Sequence, residues 1–179
     1  MGCIVAKEVK LKSPSKLTKP AALKPGHNTD SFDCGRDVLN VWLKKRAKKA
    51  TQTDTARTFV VCRGKRVVGF YALAAGAVDL ASASGRLARN APDPVPVFIL
   101  ARLGVHTDEQ KKGIGPALLA DAMRRALLGA RHIAARALLV HALDASAIKF
   151  YKAHGFVPLS TAEEATLYIT LKEIRDALP

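Results

Sequence analysis

The feature that most constrains this chain is a glycine loop placed between an apolar run and a helical pattern. Residues 103–119 read LGVHTDEQKKGIGPALL. The apolar residues 97–105 predict a buried central strand, and the three- and four-residue spacing of apolar positions in 117–130 predicts a helix. Glycines let the backbone turn its N–H groups toward one point, and a helix N-terminus adds free donors and a positive dipole end. The segment therefore predicts a site for a phosphate-bearing ligand.

Two common phosphate-binding loops do not fit this segment. A P-loop needs a lysine and then a serine or threonine after its last glycine, and neither follows Gly115. A dinucleotide-binding loop needs a third glycine at the position that Leu118 occupies. An ordinary strand–helix turn is the alternative to an anion site.

The rest of the chain alternates between strand and helix patterns. Its 179 residues are enough for one domain. Helices are predicted at 36–50, 117–130, 145–154 and the chain end, strands at 58–63, 66–75, 97–105, 137–143, 155–159 and 166–171, and a loop at 81–96. This order predicts a mixed α/β or α+β domain over 26–179. The lysine-rich segment 1–25 precedes it, as a tail or an edge element, and has room for a first strand at 5–11.

Charge and composition limit the possible functions. Lys and Arg total 29 against 15 Asp and Glu, a net charge of +14 that suits either a polyanionic partner or a merely soluble basic protein. The three cysteines have no C-x-x-C spacing and the five histidines no ligand spacing, so no metal site is expected. The longest apolar runs are too short to span a membrane and the N-terminus has no signal-peptide core, so we expect a cytoplasmic protein.

The glycine loop resembles a known cofactor motif. The pattern Q-x-x-G-x-G after a strand and before a helix is similar to the pyrophosphate-binding loop of the GNAT N-acetyltransferases. That resemblance implies a GNAT fold, with a single mixed, largely antiparallel sheet, a central splayed parallel strand pair and flanking helices, and acetyl-CoA as co-substrate without a metal. It also implies that acetyl-CoA is bound by Leu103, Gly104, Val105, Gln110, Lys111, Lys112, Gly113, Ile114 and Gly115. Pro116 departs from the pattern because it has no N–H to donate to a phosphate.

A longer series of motifs narrows the resemblance. FDCG at 32–35, RTFVV at 57–61, RNAPDPVPV at 89–97 and KFYKAHGFVP at 149–158 occur in order. The series resembles the acetyltransferase toxins of type II toxin–antitoxin systems over residues 30–171. The resemblance implies acetylation of the α-amino group of aminoacyl-tRNA, which blocks translation. It further implies a ribbon–helix–helix antitoxin, operator DNA bound through the antitoxin complex, and a homodimer.

The predicted chemistry centres on one tyrosine. In the resembling toxins the tyrosine at the place of Tyr151 protonates the coenzyme A sulfur, whereas a packed helix tyrosine is the structural alternative. Residues 97–105 contain no Asp or Glu to act as a base. An α-amino group has a pKa of about 7.7–8.0, against about 10.4 for lysine, so water can accept its proton near pH 7. The missing base therefore favours an aminoacyl ester over lysine as the acceptor, although Asp108 is close enough in sequence to serve.

The positive charge is concentrated in one stretch. Residues 36–66 hold ten Lys and Arg against Asp37 and Asp54. The residues that we expect to contact tRNA phosphates are Lys44, Lys45, Lys48, Lys49, Arg86 and Arg89. A solvated charged face is the alternative for each of them individually.

Two other functions remain open at the level of sequence. The same fold could acetylate a small amine or a protein N-terminus, although a basic surface repels cationic small molecules. A non-catalytic nucleic-acid-binding or operator-binding module with a purely structural glycine loop is the alternative from a different class.

Overall fold

A mixed β-sheet organises the chain. The computed structural model describes residues 15–83, 85–160 and 165–177, and within them seven strands pair in the order β1-β2-β3-β4-β5-β7-β6. The strands are β1 (Ala21–Ala22), β2 (Arg57–Arg63), β3 (Arg66–Val78), β4 (Val95–Val105), β5 (Ala137–His141), β6 (Val157–Pro158) and β7 (Thr166–Thr170). The β4–β5 pair is parallel, while the other pairs are antiparallel. The predicted fold class is therefore confirmed.

Helices cover both faces of the sheet. They are α1 (Asp37–Val41), α2 (Ala47–Gln52), α3 (Gly85–Ala88), α4 (Ile114–Gly129), α5 (Ala145–Ala153) and α6 (Leu171–Ala177), and a π-helical turn at Trp42–Arg46 joins α1 to α2. Short 3₁₀ turns lie at Leu80–Ser82 and Thr107–Glu109. None of the helices in the described ranges is long and apolar enough to cross a membrane.

Strand alternation separates the core into two faces. Leu138 and Val140 pack with α4, α5 and α6 in the larger cluster, which also contains Tyr151. Ala137 and Leu139 pack on the opposite face, in a cluster that includes Leu87 of α3. The α1–α2 segment covers the β2–β3 part of that same opposite face. The period of two along each strand thus assigns α1–α2 and α3 to one face and α4 to the other.

A gap opens in the sheet between β4 and β5. Their parallel pairing joins Val97–Leu100 to Ala137–Val140 and stops there. The register between β3 and β4 shifts at the same level, because Ala72 pairs with Arg102 and Leu73 with Leu100, which leaves Ala101 as a bulge. β4 then continues to Val105 without a described strand on its β5 side. A bulge bends a strand and increases its twist, and this matches the predicted splayed pair.

Several element boundaries differ from the sequence-based prediction. The predicted loop 81–96 contains α3, and the predicted strand 155–159 is reduced to two residues, of which Pro158 has no N–H for the ladder. Helix α4 begins three residues early, at Ile114, because Pro116 is well suited to a first helical turn. The predicted strand at 5–11 lies outside the described residues. An edge strand instead forms at Ala21–Ala22, which pairs with β2.

Candidate active site

The gap between β4 and β5 opens into a cavity of about 560 Å³. Its walls come from the free half of β4, the FDCG segment with the start of α1, the glycine loop, and the start of α5. Of the predicted site residues, those that line it are Leu103, Gly104, Val105, Gln110, Lys111, Gly115 and Tyr151. The structure thus brings the strand, the loop and the tyrosine to one place.

The glycine loop has the backbone geometry of an anion site. Lys111 and Gly113 adopt positive φ angles of 61° and 80°, so the chain reverses sharply before α4 begins. A side chain at positive φ is strained, which explains a glycine at position 113. The N–H groups of Ile114 and Gly115 lie in the first helical turn, where no carbonyl within the helix reaches them. Pro116 lies in that same turn, so its missing N–H removes a donor without breaking the helix.

Gln110 anchors the glycine loop to its surroundings. Its side-chain Nε2 donates to the Val105 carbonyl at 2.9 Å and to the Cys34 carbonyl at 3.1 Å. These bonds tie the loop to the end of β4 and to the FDCG segment. The glutamine side chain therefore positions the loop as well as lining the cavity.

The remaining predicted loop residues have other surroundings. Lys112 extends toward Glu109, with Nζ 3.5 Å from Oε2, and the Ile114 side chain is buried in the larger core cluster. Neither residue lines the cavity, and nor does Gly113. Lys112, Gly113 and Ile114 would therefore contribute to an anion site through their backbone N–H groups and not through their side chains.

Gly104 is explained by packing. A Cβ atom at this position would lie 3.0 Å from Phe70 Cε1, 3.5 Å from Cys34 Sγ and 3.6 Å from Leu39 Cδ1. These neighbours belong to the cluster beneath α1–α2. A glycine therefore lets α1 approach β4 closely at the wall of the cavity.

Tyr151 is held firmly in α5. It is 5% exposed and its ring packs against Phe150 and Phe156, at centroid distances of 5.2 and 5.4 Å. Burial raises the pKa of the Tyr151 phenol, so the group stays protonated at neutral pH. Its hydroxyl makes no hydrogen bond to a residue in the described ranges, and the side chain lines the cavity. A protonated hydroxyl without a protein acceptor is available as a proton donor.

Asp144 connects α5 to the FDCG segment. Its side chain caps α5 by accepting the Ala147 N–H at 2.9 Å and pairs with Arg36 Nη2 at 2.6 Å. The Ala147 amide and the Arg36 guanidinium lower the pKa of this carboxyl, so it is ionised and already paired. Asp108 is 71% exposed and does not line the cavity. Within the described ranges, the cavity therefore has no unpaired carboxylate on its walls.

Sequence reasoning missed several cavity residues. The charged or polar ones are Arg36, Arg102, His141, Asp144 and Ser146. Arg36 directly follows the FDCG motif, Arg102 lies in the predicted strand 97–105 and His141 lies in the predicted strand 137–143. Only the spatial neighbours of these residues distinguish them from ordinary surface residues.

The predicted tRNA-binding residues are all exposed to solvent. Lys44, Lys45, Lys48 and Lys49 are solvent-exposed along the π turn and α2, and none pairs with a described carboxylate. Arg86 is also exposed but forms an ion pair with Glu173 of α6. Arg89 is exposed, and its carbonyl accepts a hydrogen bond from Arg136 at 2.7 Å. The four lysines thus lie on the α1–α2 face of the sheet, whereas the Arg86 guanidinium reaches α6, which packs on the other face.

The described residues offer no group of three or more His, Cys, Asp or Glu side chains that could hold a metal ion. Cys34 and Cys62 are buried free thiols. Burial raises the pKa of both thiols and so disfavours the thiolate that a metal would need.

The chain is similar to known acetyltransferases. The acetyltransferase (GNAT) domain family matches residues 54–158. A tRNA-acetylating toxin of Mycobacterium tuberculosis (strain ATCC 25618 / H37Rv) is 42% identical over 161 residues, which are 90% of this chain and 96% of that protein.

Two solved structures share the fold over almost their whole length. AtaT complexed with acetyl-methionyl-tRNAfMet has a TM-score of 0.83 at 26% identity, covering 92% of this chain and 100% of that one. A mutant AtaT toxin bound to the C-terminus of the antitoxin AtaR and acetyl-CoA has a TM-score of 0.77 at 27% identity, covering 92% and 99%. Because the domain family matches more than half of the chain and the mycobacterial relative matches most of it, this chain belongs to the GNAT acetyltransferase family.

Proposed function

We propose that this protein is a toxin that transfers acetyl from acetyl-CoA to the α-amino group of aminoacyl-tRNA and thereby blocks translation. The observation that carries the proposal is the β4–β5 cavity, where the glycine loop and Tyr151 meet, in a chain 42% identical to a tRNA-acetylating toxin. The +14 charge supports a polyanionic acceptor.

The cavity supports a direct transfer to a neutral amine. The amides of the glycine loop, with Lys111, would hold the pyrophosphate, and the unpaired edge of β4 at 103–105 would hold the pantetheine arm and the acetyl carbonyl. Attack of the amine on the thioester forms the C–N bond. As the C–S bond breaks, Tyr151 would give its proton to the departing sulfur.

The acceptor would approach across the face of α1–α2 and α3. Lys44, Lys45, Lys48 and Lys49, with Arg86 and Arg89, would contact phosphates there. Such contacts release counterions, so binding weakens steeply as salt rises. Arg86 would contribute less than the four lysines, because Glu173 already neutralises its charge.

We propose that this protein also has an antitoxin and operator DNA as partners. AtaT binds the C-terminus of the antitoxin AtaR, which supports an antitoxin for this chain too. We infer that this antitoxin is of the ribbon–helix–helix type, that the complex binds operator DNA, and that the toxin forms a homodimer. A protein that consumes charged tRNA acts where ribosomes work, so we infer a cytoplasmic location.

The decisive experiment supplies labelled acetyl-CoA and total charged tRNA to the purified protein, with Tyr151→Phe as the paired variant. We expect label in N-acetyl-aminoacyl-tRNA with the wild type and far less with the variant. Uncharged tRNA is the control, since it lacks the amine. Label in added polyamine or protein instead of tRNA would support the alternative acetyltransferase reactions, and no label in any acceptor would support a binding module.

A further inference from the structure

A histidine ends the strand that borders the catalytic gap. His141 is the last residue of β5, it is exposed, and it lines the same cavity as Tyr151. Leu138 and Val140 share the core of Tyr151, so alternation directs His141 to the opposite face of the sheet. The two side chains thus border the cavity from opposite faces.

A buried hydroxyl orients the His141 ring. His141 Nδ1 lies 3.0 Å from Oγ1 of Thr166, its partner across the β5–β7 ladder, and Thr166 is 3% exposed. When Nδ1–H donates to this oxygen, Nε2 is the unprotonated nitrogen. Nε2 makes no hydrogen bond to a described residue. In that tautomer, the Nε2 lone pair is available to accept a proton.

Building on the proposed function, we propose that His141 is the base that accepts the proton of the acceptor amine. The neutral amine attacks the acetyl carbonyl, and its nitrogen becomes positively charged in the tetrahedral intermediate. His141 Nε2 takes one proton from that nitrogen, the C–S bond breaks, and Tyr151 gives its proton to sulfur. Solvent then removes the proton from the exposed His141 and returns one to Tyr151, so the protons balance.

The charged neighbours favour a neutral base over a carboxylate. The other charged or titratable groups on the cavity wall are Cys34, Arg36, Arg102, Lys111, Asp144 and Tyr151. Three of them are cations, and Asp144 is held by Arg36. Across the sheet, Thr166 of β7 is neutral. Among the described residues of the wall, His141 is therefore a neutral nitrogen base that no cation already engages.

The test is the pH dependence of kcat/KM for His141→Gln, with His132→Gln as the control in an exposed loop away from the cavity. Two acceptors are used, charged tRNA and an aminoacyl-adenosine ester, because both present the same α-amino ester. In the wild type, the amine and His141 must both be deprotonated, so log kcat/KM rises with pH at a slope of about two on the acid side. In His141→Gln only the amine must lose a proton, so the slope is about one. We also expect kcat of this variant to be about 10²-fold lower.

The variant Thr166→Val tests whether the Thr166 hydroxyl orients the His141 ring. We expect a smaller loss of kcat than in His141→Gln, with unchanged acetyl-CoA affinity, because valine cannot hold the His141 ring in place and Thr166 does not line the cavity. A His141→Gln variant with wild-type slope and rate would overturn the role of His141. Turnover on the aminoacyl-adenosine ester alone would overturn the proposal that tRNA is the acceptor, while the comparison of His141→Gln with the wild type would still hold. Turnover on neither acceptor would overturn both the proposed function and the role of His141.

Discussion

The Arg63 guanidinium donates two hydrogen bonds to the buried Glu109 carboxylate, at 2.6 Å from Nε to Oε1 and 3.0 Å from Nη2 to Oε2. Glu109 immediately precedes Gln110, and Arg63 ends β2, so the pair connects the sheet to the glycine loop. Arg63 Nη1 also donates to the Ser15 carbonyl at 3.0 Å. The position of the loop therefore depends on an ion pair outside the cavity.

Replacing Glu109 by Gln should loosen the loop. The amide cannot accept the two charged hydrogen bonds in the same way, and bonds of this kind contribute about 1.5–3 kcal/mol. We expect a lower free energy of unfolding in urea and weaker acetyl-CoA binding in calorimetry, with kcat at saturation nearly unchanged. Asp108→Asn is the matched control, because Asp108 is exposed. Equal effects of the two substitutions would contradict the positioning role.

The same pair predicts an acid sensitivity. Hydrogen bonding to Arg63 lowers the pKa of Glu109 from its ordinary value of 4.5 to about 2. A depressed carboxylate pKa stabilises the fold above the unfolded value, and the contribution is lost as pH falls from about 4.5 toward 2. Urea unfolding at several pH values should therefore show a smaller loss of stability in this range for Glu109→Gln than for the wild type.

Tyr151→Phe should separate chemistry from folding. The Tyr151 hydroxyl has no protein partner in the described ranges, so its removal leaves no buried group unpaired. We expect an unchanged midpoint of thermal unfolding and unchanged acetyl-CoA affinity, with kcat lower by about 10²–10⁴-fold, the usual range for a positioned acid. Full turnover with intact binding would show that another group protonates the sulfur.

Gly115→Ala should change stability and binding in opposite directions. The new Cβ would lie 3.8 Å from Phe150 Cε2 and 3.9 Å from Val105 Cγ2, which are ordinary contacts. Alanine is favoured over glycine in a helix by about 0.5–1 kcal/mol, so the unfolding free energy should rise. Acetyl-CoA binding should weaken by about 1–3 kcal/mol, because the methyl group projects where the ligand must fit.

The matched control for this change is Gly26→Ala, where a Cβ would meet no atom within 4 Å. Calorimetric titration with acetyl-CoA compares the two variants. Unchanged affinity in Gly115→Ala would mean that the pyrophosphate does not pack against the start of α4.

The four lysines of the α1–α2 segment should control the salt dependence of tRNA binding. Replacing Lys44, Lys45, Lys48 and Lys49 together by Gln should lower affinity and reduce the slope of log K against log salt by about 0.9 for each phosphate that is no longer neutralised. Filter binding between low and physiological salt measures this slope. Lys172→Gln is the control, because Lys172 pairs with Asp176 on α6, across the sheet from α2. An unchanged slope in the fourfold variant would place the tRNA elsewhere.

The parts of the site that sequence predicted are those with local signals. Apolar residues 97–105 indicated the central strand, and the spacing of Gly113 and Gly115 before a helical pattern indicated the anion loop. Tyr151 was assigned through the motif around it. Each of these signals is carried by residues close together in the chain, because strand burial, positive φ and helix starts depend on nearest neighbours.

The contacts that hold the cavity could not be predicted in this way. Arg36 reaches Asp144, Arg63 reaches Glu109, and His141 reaches Thr166 only after the sheet is assembled. Their pairing follows from strand order, from the bulge at Ala101 and from the register of β5 on β7, which no single segment encodes. Sequence alone therefore determined the family, and it predicted the positions of the strand, the loop and the tyrosine. Only the tertiary structure decided which charges are paired and that His141 borders the gap, because contacts between side chains far apart in sequence exist only in the folded chain.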